Sequence, residues 1–284
     1  LWAETHARAR MAPHIEALRA ELEHVLAEAL DGSQQVLTVY ASHDLALPLL
    51  RDTARQAERL HIDLRFAGSI DALRALAEGR CAVAGFHVPP LEDGAAVFAQ
   101  HLKPLLKPGR HKLIGCTRRA QGLVVAPGNP MALKTLADLA RTRARFAQRQ
   151  EGSATRLLTE HLLAQAGLDA LQLISTRTED SHTAVAAAVA GGLADAGIAI
   201  EAAAAEHGLG FVPLAQEDYF LVCLDDVLEQ PPVLALRRAL RDPAWQAAVA
   251  ARPGYAVQQP GDVLSLTRAL PWWNFRHPKP DKGG

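Results

Sequence analysis

Residues 36–88 read VLTVYASHDLALPLLRDTARQAERLHIDLRFAGSIDALRALAEGRCAVAGFHV. Three short apolar runs, VLTVYAS (36–42), IDLRFAGS (62–69) and CAVAGFHV (81–88), are separated by DLALPLLRDTARQAERL and IDALRALAEG, whose apolar residues recur at helical spacing. Short apolar strands alternating with amphipathic helices are the pattern of a mostly parallel sheet covered by helices. Outward from this stretch the alternation continues through KLIGCTRR, GLVVAPG, a helix from about Leu133 to Arg141, ARFAQRQ and a helix that begins at Gly152-Ser153. LQLIS (171–175), an alanine-rich helix over 181–191, AGIAI (196–200), a second alanine-rich helix, FVPLA and YFLVCL follow, and the last third from about Pro231 reads as helical. No repeat with a period of 20 to 50 residues interrupts the series.

Two polar breaks divide the α/β pattern. Residues 110–125 form two apolar runs split by Thr117-Arg118-Arg119-Ala120-Gln121-Gly122, and residues 211–224 form two more split by Gln216-Glu217-Asp218. Paired crossings at these points predict one lobe from residues 34–118 plus 217–275, an inserted second lobe over 119–216, and a tail over 276–284. Residues 1–31 predict a long amphipathic helix, because Met11, Ile15, Leu18, Leu22, Val25, Leu26 and Ala29 recur three and four apart with charges between them, until Asp31-Gly32-Ser33 ends it. Such a stripe must be buried either against the following domain or against the same helix of a second subunit.

The 284 residues carry 30 Lys and Arg against 31 Asp and Glu, a formal net charge of -1, which gives no general attraction to nucleic acid or anionic membrane. Cys81, Cys116 and Cys223 stand singly in apolar runs, an odd count without CxxC spacing that suits a reducing compartment. The charged first 30 residues do not read as a signal peptide, and no run reaches the roughly 18 apolar residues of a membrane span. The expectation is a cytoplasmic protein.

Small polar residues stand where strands hand over to helices: Ser42-His43-Asp44, Gly68-Ser69, Gly152-Ser153-Ala154-Thr155 and Ser181-His182-Thr183. Helix N-termini expose unpaired N–H groups and a partial positive charge, so several converging on a cleft make an anion site. Taken singly, each also reads as an ordinary N-cap. The densest stretch is Arg149-Gln150-Glu151-Gly152-Ser153-Ala154-Thr155-Arg156, with two hydroxyls and two guanidiniums beside a glycine. Either arginine also reads as a surface ion pair. It lacks the second glycine and the Lys-Ser/Thr pair of a phosphate-binding P-loop. His43, His87 and His182 lie next to strand ends or helix starts, where they can donate to a ligand. None has the spacing of a metal motif, and no metal or cofactor is expected. Ser153 or Ser42 with His182 and Asp195 makes a nominal hydrolase triad, but no GxSxG elbow supports it and no enzyme is expected. Asp195 reads as a turn residue bonding backbone, and PWWNF (271–275) as a packing plug or interface.

FAGSIDALRALAEGRCAVAGFHVP, ARFAQRQEGSATRLLTEHLLAQAGL, SHTAVAAAVAGGLADAGIAIEAAA and GLGFVPLAQEDYFLV together resemble the periplasmic-binding-protein-like ligand domain of molybdate-type and LysR-type helix-turn-helix transcriptional regulators. The same domain occurs in some molybdopterin biosynthesis proteins. The resemblance runs from about Val36 to Leu270. It implies an α/β, two-lobed type II periplasmic-binding-protein-like fold preceded by a long amphipathic linker helix. The ligand would lie between the lobes at the strand ends carrying Ser42, Ser69, Arg149, Ser153, Thr155 and His182, to which the reading of the residues above adds His43, His87, Gly152 and Arg156 as candidates. Ala154 replaces the Gly or Ser frequent in relatives, which removes a hydroxyl there. The implied function is effector sensing. The ligand would be a small anion, a molybdate- or tungstate-like oxyanion or a small carboxylate such as formate. Residues 1–31 would pair two subunits, and DNA would be reached only through a helix-turn-helix domain that these residues do not contain. An extracytoplasmic solute-binding protein and a molybdenum-cofactor-related module are the alternatives.

Overall fold

In a computed structural model of the chain, residues 35–90 and 95–273 are described, together with Ala7, Met11, Ile15, Leu18 and Leu22. These five are helical and exposed; the rest of the expected helix over 1–31, Asp31-Gly32-Ser33 and the tail over 276–284 lie outside the described residues.

Strand β1 (Gln35–Ala41) leads through helix α1 (Ala46–Glu58) to β2 (Leu60–Phe66), and α2 (Ser69–Ala77) connects to β3 (Val83–Val88). The first strand lies between the other two and parallel to both, as the alternation in residues 36–88 predicts. Helix α3 (Ala95–Leu102) then leads to β4 (His111–Val125). The next units are α4 (Leu136–Thr142), β5 (Arg145–Arg149), α5 (Ala154–Gln165), β6 (Ile174–Glu179), α6 (His182–Ala190), β7 (Ala196–Ile200), α7 (Glu201–Glu206) and β8 (Gly210–Leu224). The chain closes with α8 (Pro231–Leu240), α9 (Pro243–Ala250), β9 (Tyr255–Val257), β10 (Val263–Ser265) and α10 (Leu266–Ala269).

The ten strands among the described residues belong to one sheet, with the main path β2-β1-β3-β8-β4-β7-β5-β6. The two 15-residue strands β4 and β8 run antiparallel along their whole length and pass from one lobe into the other. In the first lobe β3 pairs with the second half of β8, from Asp218 to Cys223. In the second lobe β7 pairs with the second half of β4, from Gln121 to Val125. The site lies where these long strands cross between lobes.

Here the structure corrects the reading of two polar breaks as interruptions. Both strands continue, with register shifts between Gly115 and Thr117 and between Gln121 and Gly122. The polar residues sit in the strand because they pair with each other: half-exposed Arg118 faces Asp218 and buried Arg119 faces Glu217 across the ladder, with Nε–carboxylate distances of 2.6 Å in both pairs. Opposite charges directly across an antiparallel ladder support its register. A second correction concerns the last third, which contains β9 and β10 on the edge of β4 besides its helices. Three-residue strands are too short to show a period of two.

Among the described residues, three apolar clusters hold the layers together. One joins β1, β2 and α1 to α8 and α9, where Trp245 is buried and donates its Nε1–H to the Ala46 carbonyl at 3.2 Å. A second gathers Phe86, Phe98, Phe220 and Trp273. The third packs Leu139, Phe146 and Ile198 in the second lobe. Trp273 thus packs into the core, the first of the two roles, plug or interface, expected of PWWNF, whose last two residues lie outside the described ones. Fully burying an aromatic or branched aliphatic side chain is worth about 1.5–3 kcal/mol, so these clusters are the main source of rigidity.

Candidate functional site

A cavity of about 210 Å³ opens between the lobes. From the first lobe, the chain leaving β1 brings Ser42 and His43, β3 brings His87, and the end of β2 with the turn after it brings Phe66, Ala67 and Gly68. The end of β5 and the start of α5 bring Arg149, Gln150, Ser153, Ala154 and Thr155 from the other side, and the start of α6 brings Asp180 and His182. Arg119 of β4 reaches the cavity from the crossing itself.

The two arginines are in different electrostatic situations. Arg119, 1% exposed, donates to Glu217 Oε1 at 2.6 Å and to Asp44 Oδ2 at 2.7 Å, and the Tyr255 hydroxyl adds a bond to the same Asp44 oxygen at 3.1 Å. Burial, the largest single influence, opposes ionisation of Asp44 and Glu217, yet Arg119 together with His87 and the hydrogen bonds from Ala46 N and Gln121 outweighs it and holds both carboxyls below their usual range. Arg149, 5% exposed, donates to the carbonyls of Glu179 and Asp180 at 3.2 and 3.0 Å. Among the described residues no carboxylate lies within 4.0 Å of its guanidinium. Burial and the neighbouring Arg119 lower the Arg149 pKa to about 10, so it remains a cation.

His182 stands between them. Arg119 Nη2 is 3.1 Å from its Nε2, and Arg149 Nη1 is 3.2 Å from its Nδ1. A neutral imidazole accepts at one nitrogen only, so one of the two N–H groups meets another N–H rather than a lone pair. Burial followed by the two guanidiniums holds the His182 pKa well below 6.5, and protonation would bring no relief, because an imidazolium accepts from neither arginine. This cluster is one acceptor short.

His87 is oriented by its surroundings. Its Nε2 lies 3.5 Å from Asp44 Oδ2 and 3.9 Å from Glu217 Oε1, and its Nδ1 lies 2.8 Å from Ser42 Oγ. Carboxylates on the Nε2 side assign the proton to Nε2, so Nδ1 accepts the Ser42 hydroxyl proton. On the opposite wall, Gln121 Nε2 donates to Thr155 Oγ1 at 3.1 Å, which leaves the threonine proton free to point at a ligand. Burial first, then Arg149, lowers the His43 pKa to about 4.

Of the residues expected at the site, Ser42, His43, His87, Arg149, Ser153, Thr155 and His182 line this cavity. The Ser153 hydroxyl is occupied as the cap of α5, donating to the Gln150 carbonyl at 2.9 Å and accepting from Arg156 N at 3.2 Å. Ser69 stands behind the wall, its Oγ 3.5 Å from His87 N. Gly152 and Arg156 line a separate, more open depression, and Arg156 is paired with Glu160 at 2.7 Å. Asp195 lies apart, bonding the Arg145 backbone at 2.8 Å. Sequence reading missed Arg119 and Asp180 at the cavity wall, and Gln121 behind Thr155. The available signal was the alternation Thr117, Arg119, Gln121 between two apolar runs, and all three residues are buried.

The lobes meet at two glycines beside the cavity. A Cβ placed on Gly68 would lie 2.6 Å from the Gly152 carbonyl oxygen, and Gly152 itself has φ of +79°, a conformation that favours glycine.

A two-lobed α/β molecule with a polar cleft at the strand crossings is a ligand-binding module in its architecture. The chain belongs to the PBP superfamily domain family, whose model matches residues 50–241. A protein of Bacillus subtilis (strain 168), described as uncharacterized protein YvgK, is 27% identical over 259 residues, covering 91% of this chain and 82% of that protein. Among solved structures, the effector binding domain of QuiR in complex with shikimate superposes with a TM-score of 0.55 at 15% identity, covering 74% of this chain and 97% of that one. The tungstate ABC transporter from Geobacter sulfurreducens gives 0.56 at 14% identity, covering 76% and 97%. At these identities the likeness is one of fold. Among the described residues no helix is long and apolar enough to cross a membrane.

Proposed function

We propose that the chain is the effector-sensing domain of a cytoplasmic transcriptional regulator, which closes its lobes on a small anion and has no catalytic role. Residues 34–118 with 217–275 form one lobe in this reading, and 119–216 the other. The supporting observation is Arg149: a buried guanidinium with no carboxylate partner among the described residues, set against the His182 cluster that lacks one acceptor. An oxyanion or carboxylate entering the cleft supplies both the charge and the lone pairs. The N–H groups at the start of α5 and the Thr155 hydroxyl add neutral donors. Binding that spans both lobes favours the closed arrangement by the difference in affinity between open and closed states, which is the coupling a regulator needs.

Met11, Ile15, Leu18 and Leu22 are helical and 51–66% exposed, so this stripe is uncovered in a single subunit. Pairing with the same stripe of a second subunit would bury it, and DNA would then be reached through a helix-turn-helix domain outside residues 1–284.

A thermal-shift series with molybdate, tungstate, phosphate, formate and acetate at pH 7 tests the reading, with chloride as the ionic-strength control. A ligand at 100 times its Kd adds about 2.7 kcal/mol, or roughly 5 °C in a domain of this size. A shift of that order with at least one anion is expected; a folded chain that melts at the same temperature in all of them refutes the reading.

A further inference from the structure

We infer that the ligand is a hydroxyl-bearing organic monoanion, such as a short hydroxycarboxylate, rather than an inorganic dianionic oxyanion. The inference rests on the anion-cleft reading above and narrows it.

Volume is the first argument. A five-atom oxyanion takes the room of two or three waters, roughly 60–90 Å³, whereas a dry cavity of about 150 Å³ accepts benzene. At about 210 Å³, the cleft has space for a carbon skeleton beyond the anionic head. The lining agrees: Phe66, Ala67 and Ala154 give an apolar surface, and the Phe66 ring packs against the neutral His43 ring with centroids 4.9 Å apart. A bare oxyanion would leave this wall facing water.

Charge is the second. Arg119 and Arg149 are the guanidiniums at the cavity, and Asp44, Asp180 and Glu217 are the carboxylates beside or behind them. With His43, His87 and His182 neutral, the surroundings carry no surplus positive charge. A single negative charge can settle on Arg149; a second has no cation left to meet it.

The third is the direction of the Ser42 hydroxyl. Its proton is committed to His87 Nδ1 at 2.8 Å, because the carboxylates behind His87 place the ring proton on Nε2. Ser42 therefore offers the cavity lone pairs only, and a ligand satisfies it with a donor. The cleft thus has a donor end at Arg149 and Thr155 and an acceptor end at Ser42. A hydroxy acid has that polarity, and a fully deprotonated oxyanion does not.

The test is isothermal titration of the full chain at pH 7 with lactate, glycerate, propionate and molybdate. The expected result is that lactate or glycerate binds about tenfold more tightly than propionate, the gain of one well-made hydrogen bond, and more tightly than molybdate. Ser42→Ala, checked for an unchanged far-ultraviolet spectrum, should bring the hydroxy acid and propionate within twofold of each other. Tighter binding of molybdate than of either hydroxy acid overturns this inference while leaving the anion cleft intact. Equal affinities of lactate, glycerate and propionate for the unsubstituted chain overturn it as well, independently of whether the variant folds. Absence of binding by all four, with the chain folded, counts against the anion-cleft reading itself.

Discussion

Gly68→Ala should weaken ligand binding without unfolding the protein. The added methyl carbon falls 2.6 Å from the Gly152 carbonyl oxygen, a contact between rigid backbone elements rather than with the end of a flexible side chain. Carbon and oxygen need about 3.4 Å or more, so the seam must widen by roughly 0.8 Å. Gly152 cannot easily yield, because its φ of +79° is fixed by the turn that delivers Ser153 to the cap of α5. Overpacking of this kind costs about 1–3 kcal/mol. Only the closed arrangement suffers it, since parting the lobes removes the contact. The expected outcome is therefore a Kd raised about 5- to 150-fold, measured by calorimetry with the anion that gives the largest thermal shift, beside a ligand-free melting temperature that changes by less than about 3 °C. A Kd within twofold of the unsubstituted chain would refute the argument that this seam closes over the ligand. A large loss of stability without ligand would show instead that the lobes are joined permanently.

Arg119→Met should destabilise the chain by about 3–5 kcal/mol, because it leaves Asp44 and Glu217 buried without their cation; urea unfolding followed by circular dichroism checks it. Stability should also fall as pH falls through the histidine range. His43 titrates at about 4 folded against 6.5 in an unfolded chain, so below pH 6.5 the unfolded state binds the proton first. At pH 5 this costs roughly 2 kcal/mol from His43 alone, with His87 and His182 acting in the same direction, and an unchanged urea midpoint between pH 7 and 5 would contradict it. Anion binding, conversely, should raise the pKa of His43 and His182 and take up protons, so affinity increases on acidification and the calorimetric enthalpy varies with the ionisation heat of the buffer.

The strand and helix alternation of residues 36–88 was legible because each element is long enough to show its pattern: β1 alternates buried with half-buried residues, and β2 and β3 are almost continuously buried. The order of the second lobe followed as well, although β6 (Ile174–Glu179) begins three residues after the start of LQLIS (171–175), whose first two residues lie in a helical turn, and is mostly exposed. What the sequence hid were the crossings. Arg119, Gln121 and Glu217 look like loop residues by composition, and only their mutual burial in β4 and β8 shows that polar side chains can fill a strand when they satisfy one another. Arg149 and His182 could be placed near a ligand from their positions at strand and helix ends. Their distinction from Arg156, which faces Glu160 outside the cavity, required knowing which side of α5 turns inward. Ser153 shows the opposite limit: a residue that suits a ligand donor spends its hydroxyl on capping its own helix.

The most direct test of the central claim is a side-by-side calorimetric titration of the unsubstituted chain and Arg149→Gln with the same anion at pH 7. If the buried guanidinium is the counter-charge of the ligand, glutamine retains hydrogen-bonding capacity but loses the charge, and the charge-assisted contacts it removes are worth about 1.5–3 kcal/mol each. The account predicts a Kd raised at least tenfold in a protein that still melts cooperatively. Equal affinity of a folded Arg149→Gln variant would contradict it and place the ligand elsewhere.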